Sequence, residues 1–167
     1  GSMYRFILKP NYPKVKEKYS VTDWSQHSVK KRMTNSYWVF LKASVIWVVI
    51  ALLAIANGLV RETVLVSTLG PSIALPVSGM LLSLIVFIVT FLSFPLFAKN
   101  KSLTYFLIGV QWVLMTLLFE FLFGHYVVGR SWSDIIQVFN IMKGNLFIIV
   151  LIVSLFSPLL VAKIKDT

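Results

Sequence analysis

The sequence predicts an all-α, polytopic membrane protein: four transmembrane helices, with an amphipathic helix in the outer loop between the third and fourth spans. Three observations carry that expectation. Hydrophobic residues make up 57% of the 167 and charged residues only 13%, whereas roughly 25% of a soluble domain is charged. The apolar residues are gathered into four stretches of membrane-spanning length. The basic residues, sixteen Lys and Arg against six Asp and Glu for a net charge of +10, crowd to one side of those stretches. Too few charges are present to cover so much apolar surface in water, which excludes a soluble enzyme, a secreted disulfide scaffold and a disordered regulator. The absence of Cys excludes thiol redox chemistry, disulfides and Cys-ligated metal sites.

Residues 1–37 read as a basic cytoplasmic arm and residues 38–165 as the four-helix transmembrane domain, with Gly1-Ser2 a cleavage remnant ahead of Met3. Eight basic residues lie in the arm: Arg5, Lys9, Lys14, Lys16, Lys18, Lys30, Lys31 and Arg32. Such a juxtamembrane segment is attracted to anionic lipid, and it marks the cytoplasmic side whether or not it binds lipid. It carries no nucleic-acid motif and no regular aromatic interleaving, so nucleic acid is not expected. After the turn Pro10-Asn11-Tyr12-Pro13, polar and apolar residues alternate from Lys14 to Val21, predicting a short hairpin. Residues 22–34 predict a short interfacial helix. With no apolar run before Trp38, no signal peptide is expected, and the first span acts as its own insertion signal.

The spans are Trp38 to about Val60, Ile73 to Ala98, Leu103 to Phe123, and Leu146 to Ala162. At 1.5 Å per residue the third is about 31 Å long and the fourth about 26 Å, against a hydrocarbon thickness of about 30 Å. Pro71, Pro76 and Pro95 fall near the ends of the second span, where a membrane helix tolerates them. With the N-terminus inside, thirteen Lys and Arg lie on the cytoplasmic side and three, Arg61, Arg130 and Lys143, lie outside. That is a strong positive-inside bias. In the outer loop, Ser131 and Asp134 resemble a capping box. Ile135, Val138, Phe139 and Met142 share one helical face, and Lys143-Gly144 suits a helix end. These residues predict one amphipathic helix over 132–143.

Polar residues inside spans carry the functional information because hydrocarbon makes them expensive. Ala54, Gly58 and Arg61 share one face of the first helix, and Gly109, Thr116 and Glu120 one face of the third. Small residues on such stripes allow close helix approach. Arg61 and Glu120 then lie at matching depth on inward faces, which predicts an ion pair. Asn57, Glu62, His125 and Tyr126 gather around it, with Asn140, Lys143 and Asn145 across the loop. Gln111 faces away from Glu120 and is expected to bond a neighbouring helix. Three readings remain open for the cluster: an Arg–Glu bridge that orders the helix ends, a binding or permeation site, and catalysis with Glu120 or His125 as acid or base. Glu62, Glu120, His125 and Asp134 are possible ligand types for a metal, but their spacing argues against one. Neither a Walker loop, a Gly-x-Ser-x-Gly nor a His-Glu-x-x-His occurs.

Asn57-Gly58-Leu59-Val60-Arg61-Glu62-Thr63, with Leu69-Gly70 downstream, resembles a motif of a small bacterial family of four-helix integral membrane proteins. Phe119-Glu-Phe-Leu-Phe-Gly-His-Tyr126, continuing to Gly129, Trp132 and Asn140 through Gly144, resembles it too. The likeness covers residues 38–165 and implies a bacterial envelope protein. It supplies no substrate, cofactor or catalytic residue. Disulfide-forming quinone enzymes and vitamin K epoxide reductases need cysteines. Glutathione- and eicosanoid-type membrane enzymes bring an Arg-rich site on the cytoplasmic side, and small multidrug exporters a Glu deep in the first helix; this chain departs from each.

The favoured reading is a non-catalytic protein of the bacterial inner membrane with both termini cytoplasmic. Its outer-facing pocket, formed by Asn57, Arg61, Glu62, Glu120, His125 and Tyr126, binds or passes a lipid head group, an ion or a small polar ligand, or the protein serves as an assembly or scaffold subunit. The alternative is a membrane-embedded enzyme acting on a lipid-phase substrate through Glu120 and His125. No cofactor is expected. Expected partners are the bilayer, anionic lipid at the arm, a lipid or small polar ligand at the mouth, and either a second copy or another membrane protein.

Overall fold

The computed structural model describes residues 21–97 and 99–165. The hairpin expected ahead of Val21 lies outside them. The chain divides into two units, Gly1–Tyr37 and Trp38–Thr167. Helix α1 is assigned to Val21–Val60, so the expected interfacial helix is not a separate element. No Pro occurs in that stretch, and its one Gly, Gly58, lies near the end, leaving nothing to terminate a helix earlier.

In the second unit α1 continues through a π-helical turn, Arg61–Leu65, into α2 (Val66–Leu69). Gly70, at φ +79°, ends that rod, and Pro71 opens α3 (Pro71–Ser93), a position where the missing N–H costs nothing. A 3-10 turn, Phe94–Leu96, closes α3. Helix α4 (Ser102–Leu122) runs into a second π-helical turn, Phe123–Val127. Short α5 (Trp132–Ile136) and α6 (Phe147–Lys165) complete the unit. Four helical segments are long and apolar enough to cross a membrane: Gln26–Leu69, Pro71–Leu96, Ser102–Val127 and Phe147–Lys165.

The helix expected over 132–143 is broken into three pieces. Ser131 caps α5 as foreseen, its Oγ accepting from Asp134 N at 3.1 Å and donating to Asp134 Oδ2 at 2.6 Å. The chain then tightens into 3-10 turns at Gln137–Phe139 and Ile141–Lys143. Asn140 between them leaves helical geometry, with φ −84° and ψ +89°. Gly144 stops the segment in the left-handed conformation at φ +81°. The apolar period is real, but Ile135 and Val138 are buried while Met142 is exposed, so the face folds over the bundle end in steps.

Helices α1 and α6 each bridge α3 and α4. Helix α6 packs closely on both: a Cβ on Gly109 of α4 would stand 1.9 Å from Leu155 O, and one on Gly79 of α3 would stand 2.7 Å from Leu146 Cβ. Residues of α1 reach across by hydrogen bonds instead. Ala43 O accepts from Trp112 Nε1 (2.8 Å), Phe40 O and Ser44 Oγ accept from Gln111 Nε2 (3.2 and 2.6 Å), and Trp47 Nε1 donates to Thr116 Oγ1 (2.9 Å). Gln111 thus bonds a neighbouring helix as expected, although its Oε1 is buried without a partner.

Toward the Lys165 end the interior is solid. Ala43, Ile46, Phe94, Phe97, Tyr105, Ile108, Trp112, Val161 and Ala162 form one buried cluster, with Ile50, Val86 and Val150 at its upper boundary. Lys42 and Lys165 close that end by donating to Leu96 O (3.4 Å) and Phe91 O (2.8 Å). Cations suit these carbonyls at the end of α3.

Candidate functional site

Above the solid half the four long helices line an open cavity of about 660 Å³. Its walls are mostly apolar: Ile50, Ala51 and Ala54 of α1, Leu75, Leu82 and Val86 of α3, Phe119 of α4, and Leu146, Phe147 and Val150 near or on α6, with the hydroxyls of Ser78, Thr116 and Ser154 among them. The volume falls within the range of small-molecule pockets, about 300–1,000 Å³. Short residues of α1 and α3, Ala51, Ala54, Gly58 and Ser78, stand among the larger ones that line it and leave the space open. Around Gly58 an added Cβ would meet nothing within 4 Å. Its stripe therefore gives space, and the close helix approach expected there is found instead at Gly109.

Polar groups ring the mouth. Asn57, Arg61 and Glu62 come from the end of α1 and its π turn, Glu120 from the last turn of α4, and Arg130 and Asn145 from the connection to α6. Both π turns lie at this end, with Val66 N donating to Arg61 O and Val128 N to Phe123 O. Single π turns occur mostly as local widenings of α-helices and are frequent at functional sites. Asn57, a buried residue, donates through Nδ2 to Ser78 O (3.1 Å) and Ser78 Oγ (2.8 Å), joining α1 to α3 just below the mouth.

The expected Arg61–Glu120 ion pair does not form. Arg61 Nε donates to Glu62 Oε1 at 2.9 Å, and Glu120 Oε1 accepts from Arg130 Nη1 at 3.1 Å. Each charge has a nearer partner: Glu62 is adjacent in the π turn, and the loop returns Arg130 over Glu120. Arg130 Nη2 also donates to Asp134 O at 3.3 Å, so this guanidinium ties α4 to α5. The Glu120 and Arg130 side chains keep 23% and 38% of their surface exposed, so screening keeps the pair weak, about 0–1 kcal/mol.

The remaining expected residues lie to one side. His125 and Tyr126 sit in the second π turn and do not line the cavity. His125 stacks on Trp132 at 4.0 Å between ring centroids, with Tyr126 edge-on to it at 4.9 Å. Its Nδ1 donates to Arg130 O at 2.9 Å, because a carbonyl can only accept. This cluster orients the chain around Gly129, whose φ of +74° accompanies a bond from Arg130 N to Gly124 O, the helix-ending pattern that glycine permits. His125 thereby positions Arg130. Asn140 bonds Gln137 at 3.3 Å. Among the described residues, no three of His, Asp and Glu converge as a metal would require.

Arg130 is the mouth residue that sequence reasoning missed, since it follows the π turn and the Gly129 reversal rather than any helical period shared with Glu120. The signal present was a basic residue directly after Gly129, a helix-stopping glycine. Comparisons with protein-family models, with curated proteins and with solved structures return no match, so the family likeness of residues 57–63 and 119–126 gains no support from them.

Proposed function

We propose that the protein is a multi-pass membrane protein that holds an amphipathic, lipid-phase ligand, with its head group at the Arg61–Glu62 and Glu120–Arg130 mouth and its apolar part in the cavity. One observation carries this reading: a cavity with charged groups at one end and apolar walls leads down to a packed interior. A conduction path needs a continuation past Trp112, Phe97 and Ile108, and these are buried in the solid half. Binding therefore fits better than permeation. Catalysis by Glu120 and His125 fits less well, because His125 lies outside the cavity wall, stacked on Trp132. In this reading the membrane is the bacterial inner membrane, both termini are cytoplasmic and the mouth faces outward. The uneven distribution of Lys and Arg supports that orientation.

The test is titration of the detergent-purified protein with a fluorescent single-chain phospholipid. Saturable one-to-one binding is expected, and Ala54→Phe, which fills the cavity from α1, abolishes it while the protein stays folded. Binding that is absent, or indifferent to Ala54→Phe, refutes the pocket. For orientation, cysteines at Thr63 and Ser131 should react with a membrane-impermeant reagent in intact cells, and one at Asn100 only after permeabilisation. The reverse pattern inverts the topology.

A further inference from the structure

Hydroxyl groups in a membrane helix ordinarily satisfy themselves by donating to the carbonyl four residues back. Seven here do so: Ser44, Thr63, Ser67, Thr68, Ser83, Thr90 and Ser157. The three on the cavity wall, Ser78, Thr116 and Ser154, do not. Ser78 Oγ accepts from Asn57 Nδ2, and Thr116 Oγ1 from Trp47 Nε1. Their own protons are committed to no carbonyl of the helix. Ser154 is 6% exposed, lines the cavity, and has no hydrogen-bond partner among the described residues.

The three come from three different helices and line one cavity at different depths. The Asn57–Ser78 bond lies about 15 Å above the Trp47–Thr116 bond along α1, ten residues at 1.5 Å each. An apolar chain alone would leave these donors without an acceptor from the occupant. At the mouth, Arg61 uses Nε toward Glu62, and its two terminal nitrogens are available to an anion, for which a planar guanidinium is well suited.

We propose that the occupant is an ester-linked zwitterionic glycerophospholipid, with its phosphate on Arg61, its ammonium toward Glu120 or Glu62, and an ester carbonyl accepting from the Ser154 hydroxyl. This rests on the pocket reading above and names its ligand class. A fatty acid matches Arg61 but offers no acceptor below its carboxylate. A quinone offers carbonyls but no anion for Arg61. An ester phospholipid carries both kinds of acceptor in the order the cavity needs them, anion first and carbonyl deeper.

The experiment compares phosphatidylethanolamine carrying ester-linked chains with its ether-linked analogue, each titrated into the full chain and read by native mass spectrometry. The ester lipid is expected to bind about five- to tenfold more tightly, the worth of one hydrogen bond to an otherwise unmatched donor. Ser154→Ala should bring the ester lipid down to the level of the ether lipid. Arg61→Met should weaken both alike. Equal binding of ester and ether lipids by the wild-type protein overturns the carbonyl assignment while leaving the pocket standing. So does an ester preference that survives Ser154→Ala. Oleate binding as tightly as the ester lipid overturns the phosphate assignment. Failure of all three to bind removes the pocket itself.

Discussion

Gly58 and Gly109 lie in two stripes of small residues that each lead up to a charged one, Gly58 about one turn from Arg61 and Gly109 about three turns from Glu120, and they do opposite things. At Gly109 the helices meet backbone to side-chain-free backbone, and an added Cβ would stand 1.9 Å from Leu155 O. At Gly58 the same addition meets only open space. The difference lies in what stands opposite. Gly109 is flanked by Ile108 and Trp112, which are large and fully buried, and these fill the interior so that α6 can settle on the glycine. Gly58 shares its space with Ala51, Ala54, Ser78 and Gly79, too small together to fill the volume between four helices. A small residue therefore brings helices together only where neighbouring side chains complete the packing.

The comparison breaks most visibly at Trp112. Trp112→Ala removes the largest side chain of the solid half and its bond to Ala43 O, and should cost about 3–5 kcal/mol, read as a sharp fall in melting temperature in detergent. Gly109→Ala should cost about 1–3 kcal/mol, because Leu155 O is backbone and must move with its helix. Gly79→Ala should be milder, since its overlap is smaller, 2.7 Å to Leu146 Cβ against 1.9 Å to Leu155 O. At the mouth, a double-mutant cycle between Arg130→Met and Glu120→Gln should return a coupling of about 1 kcal/mol or less. The same cycle between Arg61→Met and Glu120→Gln should be additive within about 0.5 kcal/mol. Coupling in the second cycle and none in the first would restore the pairing expected from helix periodicity. Smallest of all, Ala54→Leu in the hollow half should change stability by about 1 kcal/mol or less, in the stabilising direction, as cavity filling does. A loss as large as that of Gly109→Ala would mean that the two halves do not differ in packing.

Much of this arrangement was legible in the residues. Four apolar stretches correspond to four helices long and apolar enough to span a membrane, because length and composition are local properties of the sequence. Ser131 and Gly144 were read correctly as a cap and a stop, since both act locally. Of the six residues expected to gather at the mouth, Asn57, Arg61, Glu62 and Glu120 line the cavity. The pairing was not legible. Helical periodicity says which face a residue takes but not which partner reaches it: Arg61 begins a wider turn beside Glu62, and the chain beyond α4 returns Arg130 to Glu120. His125 and Tyr126, inside the second π turn, are carried off to the side of Trp132. The α5 region failed for a related reason: its apolar period is compatible with a helix, but Asn140 breaks the backbone where Val138 must be buried.

A π turn holds one residue more than the α turn it replaces, so each of the two turns beside the mouth is equivalent to a single-residue insertion absorbed without breaking the helix. At almost any other place in α1, α3, α4 or α6 a one-residue deletion would rotate everything beyond it by about 100° and turn its lipid-facing side inward. Within Arg61–Leu65 or Phe123–Val127 the helix can instead close to ordinary α geometry, and the shift falls on the short connections that follow. Length variation along this chain is therefore expected to be tolerated at those two turns, and the residues that vary in number there are the ones that shape the pocket rim.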